Sequence, residues 1–273
     1  MVDGWVDVEL PMPETKGIIS DYFFHAPLEV VFTYEYPKRA PDIYHWSCKT
    51  EKVSQLTWTC YQGLSPNSFC QPTCFEYESF DGLQIHAFLY QPKSYKKGIT
   101  IPMVIHFNGG PEGQFRPTFW KTIQYFLELG IGVCAPNVRG SDGYGSHYLS
   151  LDDYRKRMDS VKDGIELARN LIHRGLTKPD RLGVIGGSYG GFMVLSVTTE
   201  APELWAGAVD RVGISNLESF LENTGAYRRK IREVEYGPLT DREFLRSISP
   251  IHKIDKVKCP LLVVHGVTDP RVP

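Results

Sequence analysis

The chain has 273 residues, of which 42% are hydrophobic and 23% charged, with a formal net charge of -2. That composition suits a globular protein with a sizeable core and carries no electrostatic footprint for nucleic acid or an anionic membrane. No apolar run approaches the ~20 residues that span a bilayer, so no membrane segment is expected.

Met1-Val-Asp-Gly-Trp5 lacks a basic region followed by an apolar stretch, so no leader peptide is expected. The compartment stays open, with the cytoplasm the default expectation. The six cysteines are Cys48, Cys60, Cys70, Cys74, Cys134 and Cys259. Cys70-x3-Cys74 has no second pair or nearby histidine, so it reads as reduced thiols or a local disulfide rather than a metal site. No metal or other cofactor is expected, and oligomeric state is left open.

Before residue 72, short β-like runs alternate with turn clusters. Val30–Tyr34, Ile43–Trp46 and Gln55–Thr59 read as strands, with Pro37-Lys-Arg-Ala-Pro41 a breaker between the first two. Strands of this spacing suit one blade of a β-propeller, whose blades run to ~40 to 50 residues, or a simple antiparallel extension. After Pro72, strands alternate with helices. The strand candidates are Phe75–Ser79, Ile85–Tyr90, Pro102–Phe107, Ile131–Ala135, Arg181–Gly186, Ala206–Val212 and Pro260–His265. Asp81-Gly82 is a hairpin signal between the first two. Pro117–Leu129 and Leu151–Arg174 read as helices, the second with Val161, Ile165, Ala168 and Ile172 on one apolar face. Helices between buried-type strands imply a mostly parallel sheet covered on both faces, the α/β hydrolase order of elements. The expected division is 1–72, a β-rich segment, and 73–273, the α/β hydrolase domain.

Gly186-Gly-Ser-Tyr-Gly-Gly191 joins an apolar strand to a small-residue helical stretch, Phe192–Thr199. Strand, G-x-S-x-G, helix is a nucleophile elbow: a sharp, strained turn that holds a serine hydroxyl above the sheet. Ser188 is the candidate nucleophile, and the backbone N–H of Tyr189 one oxyanion donor. A strand ending in Asn108-Gly109-Gly110-Pro111 supplies the loop for the other donor, through Gly109, Gly110 or the Asn108 side chain. The strand Pro260–His265 delivers Asp269 to the carboxyl edge of the sheet. There it is the candidate triad acid, after the serine in chain order. That order requires a histidine after Asp269, and none follows in these residues. His106 and His265 sit at strand ends but precede the acid, and read as structural. The chain is therefore expected to be an inactive fragment lacking its general base.

Together these residues resemble the prolyl oligopeptidase family of serine peptidases. Gly186–Gly191 looks like its nucleophile motif and His265-Gly-Val-Thr-Asp-Pro-Arg-Val-Pro273 like its acid motif. Asn137-Val-Arg-Gly-Ser-Asp-Gly-Tyr-Gly145 resembles the loop after its fourth strand. The resemblance implies a propeller before the hydrolase domain, with residues 1–72 its tail, and short peptides as substrates. It implies that Arg271 holds a substrate carbonyl and that Phe220 lines the pocket for the residue before the cleaved bond. Several members have a tyrosine at or near Asn108, so the donor there differs. The basic run Tyr227–Arg232 reads as a solvated helix face. A carboxylesterase on the same fold and a non-catalytic hydrolase-like binding module are the alternative readings.

Overall fold

Of the 273 residues, the computed structural model describes 10–12 and 17–272, so the leader reading of Met1–Trp5 lies outside the described residues. They form two compact units. One holds the residues up to Pro72 together with Arg116–Tyr125, and the other holds Thr73–Phe115 and the residues from Phe126 on. No described helix is long and apolar enough to cross a membrane. All six cysteines are free thiols.

The first unit is a four-stranded antiparallel meander in chain order, β1 (Ile18–Ala26), β2 (Glu29–Tyr36), β3 (Arg39–Ser47) and β4 (Lys52–Gln55). Phe32, Tyr34 and Tyr36 alternate on one face of β2 and are buried with Tyr44 and Trp46 of β3. Phe32 lies opposite Tyr44, and the rings stack at 5.9 Å. Such cross-strand pairs fix register and stabilise the ladder.

Three details differ from the sequence reading. Strand β1 is an added element: its aromatic run Tyr22–Phe24 is exposed and its register is broken by bulges, so no alternation marks it. Pro41 lies inside β3 rather than breaking it. It sits where the β2–β3 register shifts between Tyr34 and Tyr36, a bulge position that tolerates a missing N–H. The predicted strand Gln55–Thr59 stops at Gln55 because buried Asp42 takes over the pairing. Its Oδ1 accepts from Thr57 Oγ1 at 3.0 Å and Thr59 N at 2.9 Å, and Thr57 Oγ1 accepts from Ile43 N at 2.8 Å. The threonines act through their hydroxyls, not as β-branched strand formers.

The second unit is built on a seven-stranded sheet. Its strands are β5 (Thr73–Glu78), β6 (Gln84–Tyr90), β7 (Met103–Phe107), β8 (Gly132–Asn137), β9 (Leu182–Gly187), β10 (Gly207–Arg211) and β11 (Leu261–Val264), in the order β11-β10-β9-β7-β8-β6-β5. The β5–β6 hairpin is antiparallel and pairs antiparallel with β8, while the strands from β8 through β11 run parallel. This is the mostly parallel α/β hydrolase sheet that the sequence order implies.

The helices are α1 (Lys121–Glu128), α2 (Ser146–Leu149), α3 (Arg157–His173), α4 (Tyr189–Glu200), α5 (Leu217–Asn223), α6 (Ala226–Tyr236) and α7 (Arg242–Ser247). Helix α1 starts later than expected because Phe119 N donates to Glu35 Oε2 and its ring packs 5.1 Å from Phe69. The long helix predicted from Leu151 begins instead at Arg157. Asp153 is extended and Tyr154 has φ +48°, so only short 3-10 turns precede α3. Along α3, Val161, Ile165 and Ala168 are buried as their spacing predicts.

Among the described residues β11 is an edge strand of this sheet. On β11, Leu262, Val263 and Val264 are 58%, 53% and 50% exposed. A groove of about 470 Å³ beside it is lined by Val104, Phe126, Ile185, Val209 and Leu262. Unpaired apolar edges invite pairing with other chains. The purified 273-residue chain is therefore expected to self-associate, as read by light scattering after size-exclusion chromatography. A monodisperse monomer with a single cooperative thermal transition contradicts this.

Candidate active site

The elbow is a packing problem that only small residues solve. Ser188 caps α4 with φ +57° and ψ -119°, a conformation sparsely populated by residues with a side chain. Its N–H donates to Arg211 O at 2.9 Å, and its carbonyl accepts from Phe192 N at 3.0 Å, so both flanks are fixed. A Cβ on Gly186 would lie 2.2 Å from Gly190 O, and one on Gly190 would lie 2.4 Å from Phe107 O. These two glycines let β9 turn back onto its helix against the end of β7. The Tyr189 N–H lies in the first turn of α4, where backbone donors have no intrahelical partner.

The side chain of Tyr189 points into the protein. Its hydroxyl donates to Ser160 Oγ at 2.8 Å and lies 3.3 Å from Asp152 Oδ2. Asp152 also pairs with the buried Arg157, whose guanidinium lies over the Tyr189 ring at 5.4 Å and over Tyr236 at 4.9 Å. Burial pushes the Asp152 carboxyl up to about 6 against the pull of Arg157. This network fixes Tyr189, and only polar residues near a predicted helix start hint at it in the sequence.

The glycine loop lies against the elbow. A Cβ on Gly109 would meet Gly187 O at 3.4 Å and the Ser188 Cβ at 3.9 Å, so Ser188 and Gly109 are neighbours. The Asn108 amide turns onto its own loop and donates to Gly109 O at 3.0 Å. Gly110–Pro111 is a cis peptide. Asn137, the first residue of the third resembling motif, braces this loop from β8. Its Oδ1 accepts from Phe115 N at 2.6 Å and its Nδ2 donates to Phe115 O at 3.1 Å. Within the same motif Arg139 is buried between Asp163 and Asp81.

Asp269 stands on the loop after β11. Both of its side-chain bonds go to Oδ1, from Arg271 N at 2.8 Å and Val272 N at 3.1 Å. These N–H groups hold its carboxyl below the usual range. Arg271 is exposed on this loop. Phe220 is 4% exposed and packs edge-on to Tyr236 at 5.9 Å. An aromatic at that position lowers the free energy more by filling the core than by facing water.

Two histidines approach the region. His106 is buried, with its ring 5.9 Å from that of Phe115, and burial pushes its pKa down to about 4, helped by the charge of Arg211. His265 Nε2 donates to Val272 O at 2.7 Å, since a carbonyl only accepts. Arg211, at the end of β10, reaches over the elbow: a Cβ on Gly187 would lie 3.9 Å from its Nη2. Only its position on the strand next to the elbow marks it in the sequence.

The model of the prolyl oligopeptidase family matches residues 117–273, which include both Ser188 and Asp269. A model of acetyl xylan esterase (AXE1) matches residues 22–174 and stops short of the elbow. The uncharacterized peptidase YuxL of Bacillus subtilis is 29% identical over 246 residues, 87% of this chain and 36% of that protein. Dipeptidyl aminopeptidase BIII of Pseudoxanthomonas mexicana is 30% identical over 212 residues, 72% of this chain and 30% of that protein. The structure of a Mycobacterium tuberculosis puromycin-hydrolyzing peptidase superposes with a TM-score of 0.83 at 28% identity, covering 90% of this chain and 39% of that one. The chain spans about a third of the length of the curated relatives it matches.

Proposed function

The chain belongs to the prolyl oligopeptidase family, and on that premise we propose a serine-type peptidase that cleaves short peptides through an acyl-enzyme. The observation that carries this reading is the strained Ser188 at the head of α4 with Gly109 against it. Ser188 Oγ attacks the peptide carbonyl and passes its proton to a histidine base. The oxyanion takes the N–H of Tyr189 and a second N–H from Gly109 or Gly110. The C–N bond then breaks, the amine leaves with the proton, and water hydrolyses the acyl-serine. Asp269 holds the base in its tautomer through Oδ2, since Oδ1 is engaged by the loop. We read Arg271, exposed on the same loop, as the residue that holds a substrate carbonyl.

We assign the base to a histidine outside these 273 residues. His106 is held neutral in the core and His265 is tied to Val272. As isolated, the chain is then inactive. The four-stranded meander of the first unit matches one propeller blade, so we read residues 1–72 as propeller and 73–273 as part of the hydrolase domain.

The acetyl xylan esterase match favours a second reading, an esterase on the same fold. An active form of the protein assayed with an aminoacyl amide and an acyl ester separates the two. The peptidase reading expects both to turn over and both to stop in Ser188→Ala. Ester turnover without measurable amide turnover sinks it.

A further inference from the structure

The bond that ties down His265 also closes the loop that carries Asp269. His265 follows Val264, the last residue of β11, and its Nε2 reaches across seven positions to Val272 O at 2.7 Å. The near end of the loop is held by β10, because Val212 N donates to Val264 O at 2.8 Å. Within the loop Asp269 N donates to Gly266 O at 3.2 Å. Val272 is the far end. Its side chain is 6% exposed in the core, its N–H donates to Asp269 Oδ1 at 3.1 Å, and its carbonyl takes the imidazole. A single residue, Val272, therefore joins the acid to the strand end through His265.

Asp210 stands on the same face. It pairs with Val263 across the β10–β11 ladder, and strand alternation sends His265, two residues on, to the side that Asp210 occupies. Asp210 is 2% exposed, and its Oδ1 leaves no room for a Cβ on Gly191, in the first turn of the elbow helix α4. Among the described residues that oxygen has no hydrogen-bond partner. Burial raises the Asp210 carboxyl, and a protonated His265 works against the rise. The Arg271 and Val272 N–H groups lower the Asp269 carboxyl, and the charge of His265 adds to them. One imidazole is thus coupled both to a carboxylate packed on the elbow helix and to the candidate acid. We propose that His265 is a positioning residue, whose Nε2–H bond to Val272 O sets where Asp269 stands relative to Ser188. The proposal rests on the peptidase reading above for the role of Asp269, and on the bond itself for the closure of the loop.

The test compares His265→Ala with His265→Gln in an active form of the protein. The glutamine amide can donate to Val272 O as Nε2 does, but it cannot take up a proton as a base. His265 is exposed, so neither change opens the core. Hydrogen exchange of residues 266–272 is followed by mass spectrometry, and kcat is measured on an aminoacyl amide. In His265→Ala the loop is expected to exchange up to about tenfold faster, the effect of one lost hydrogen bond, with β9 and α4 unchanged. Its kcat is expected to fall by about 10 to 10², the cost of a misplaced catalytic group. His265→Gln is expected to restore both. In an Asp269→Asn background His265→Ala is expected to cost nothing further, because both changes act through one carboxylate. Unchanged loop exchange in His265→Ala overturns the proposal whatever the activity. With Asp269→Asn severe, a loosened loop and undiminished kcat overturns it too, as does a loss that adds in full to that of Asp269→Asn. A His265→Gln variant with a closed loop and no activity also overturns it, since the ring would then take part in the chemistry. If Asp269→Asn is itself silent, the triad assignment falls, and loop exchange alone decides whether His265 closes the loop.

Discussion

Purified as these 273 residues, the protein is expected to hydrolyse aminoacyl amides no faster than its own Ser188→Ala variant. Loss of the base from a serine triad costs about 10⁶ in kcat, leaving the residual ~10³ to 10⁴ over water that the oxyanion hole and binding supply. The nearest substitutes are unsuited to the role. His106 has a pKa near 4 in its buried setting, so it is a weak proton acceptor at neutral pH. His265 already donates its Nε2 proton to Val272 O. Both also precede Asp269, against the chain order of the fold. Robust hydrolysis that vanishes in Ser188→Ala and in either His106→Ala or His265→Ala would show that the base lies within the chain.

In an active form of the protein, Asp269→Asn is expected to lower kcat by about 10⁴ with little change in folding or substrate binding. The asparagine keeps an Oδ1 to accept from Arg271 N and Val272 N, so the loop is retained. Its amide, placed where Oδ2 was, donates to the imidazole and reverses which ring nitrogen carries the proton. Asn108→Ala serves as the contrast. The Asn108 amide already donates to Gly109 O, so less than a tenfold loss is expected. A loss of about 10² to 10³ would instead mark it as an oxyanion donor. If Asp269→Asn stays within a few-fold of wild type, Asp269 only shapes the turn before Pro270.

The second unit was legible because its signals are local. Apolar runs bounded by turns gave seven strands near their observed positions, and Gly186–Gly191 placed the elbow between β9 and α4. Errors arose where a side chain outcompetes the backbone pattern. Asp42 ends β4 through threonine hydroxyls, and Glu35 takes the Phe119 N–H from the start of α1. The supports of the site were illegible for a related reason. Asn137 reaches Phe115 across 22 positions and Tyr189 reaches Asp152 across 37, and nothing in spacing links them. Phe220 follows the sixth hydrolase strand, where an aromatic can line a pocket or fill a core, and its ring packs 5.9 Å from that of Tyr236.

The most direct test of the nucleophile assignment is covalent. An active form of the protein is treated with a fluorophosphonate and digested, and the modified peptide is identified by mass spectrometry. The expected adduct lies on Ser188, forms in proportion to the loss of amide hydrolysis, and is absent in Ser188→Ala. Stoichiometric labelling of another residue, or labelling and inactivation undiminished in Ser188→Ala, would contradict the account.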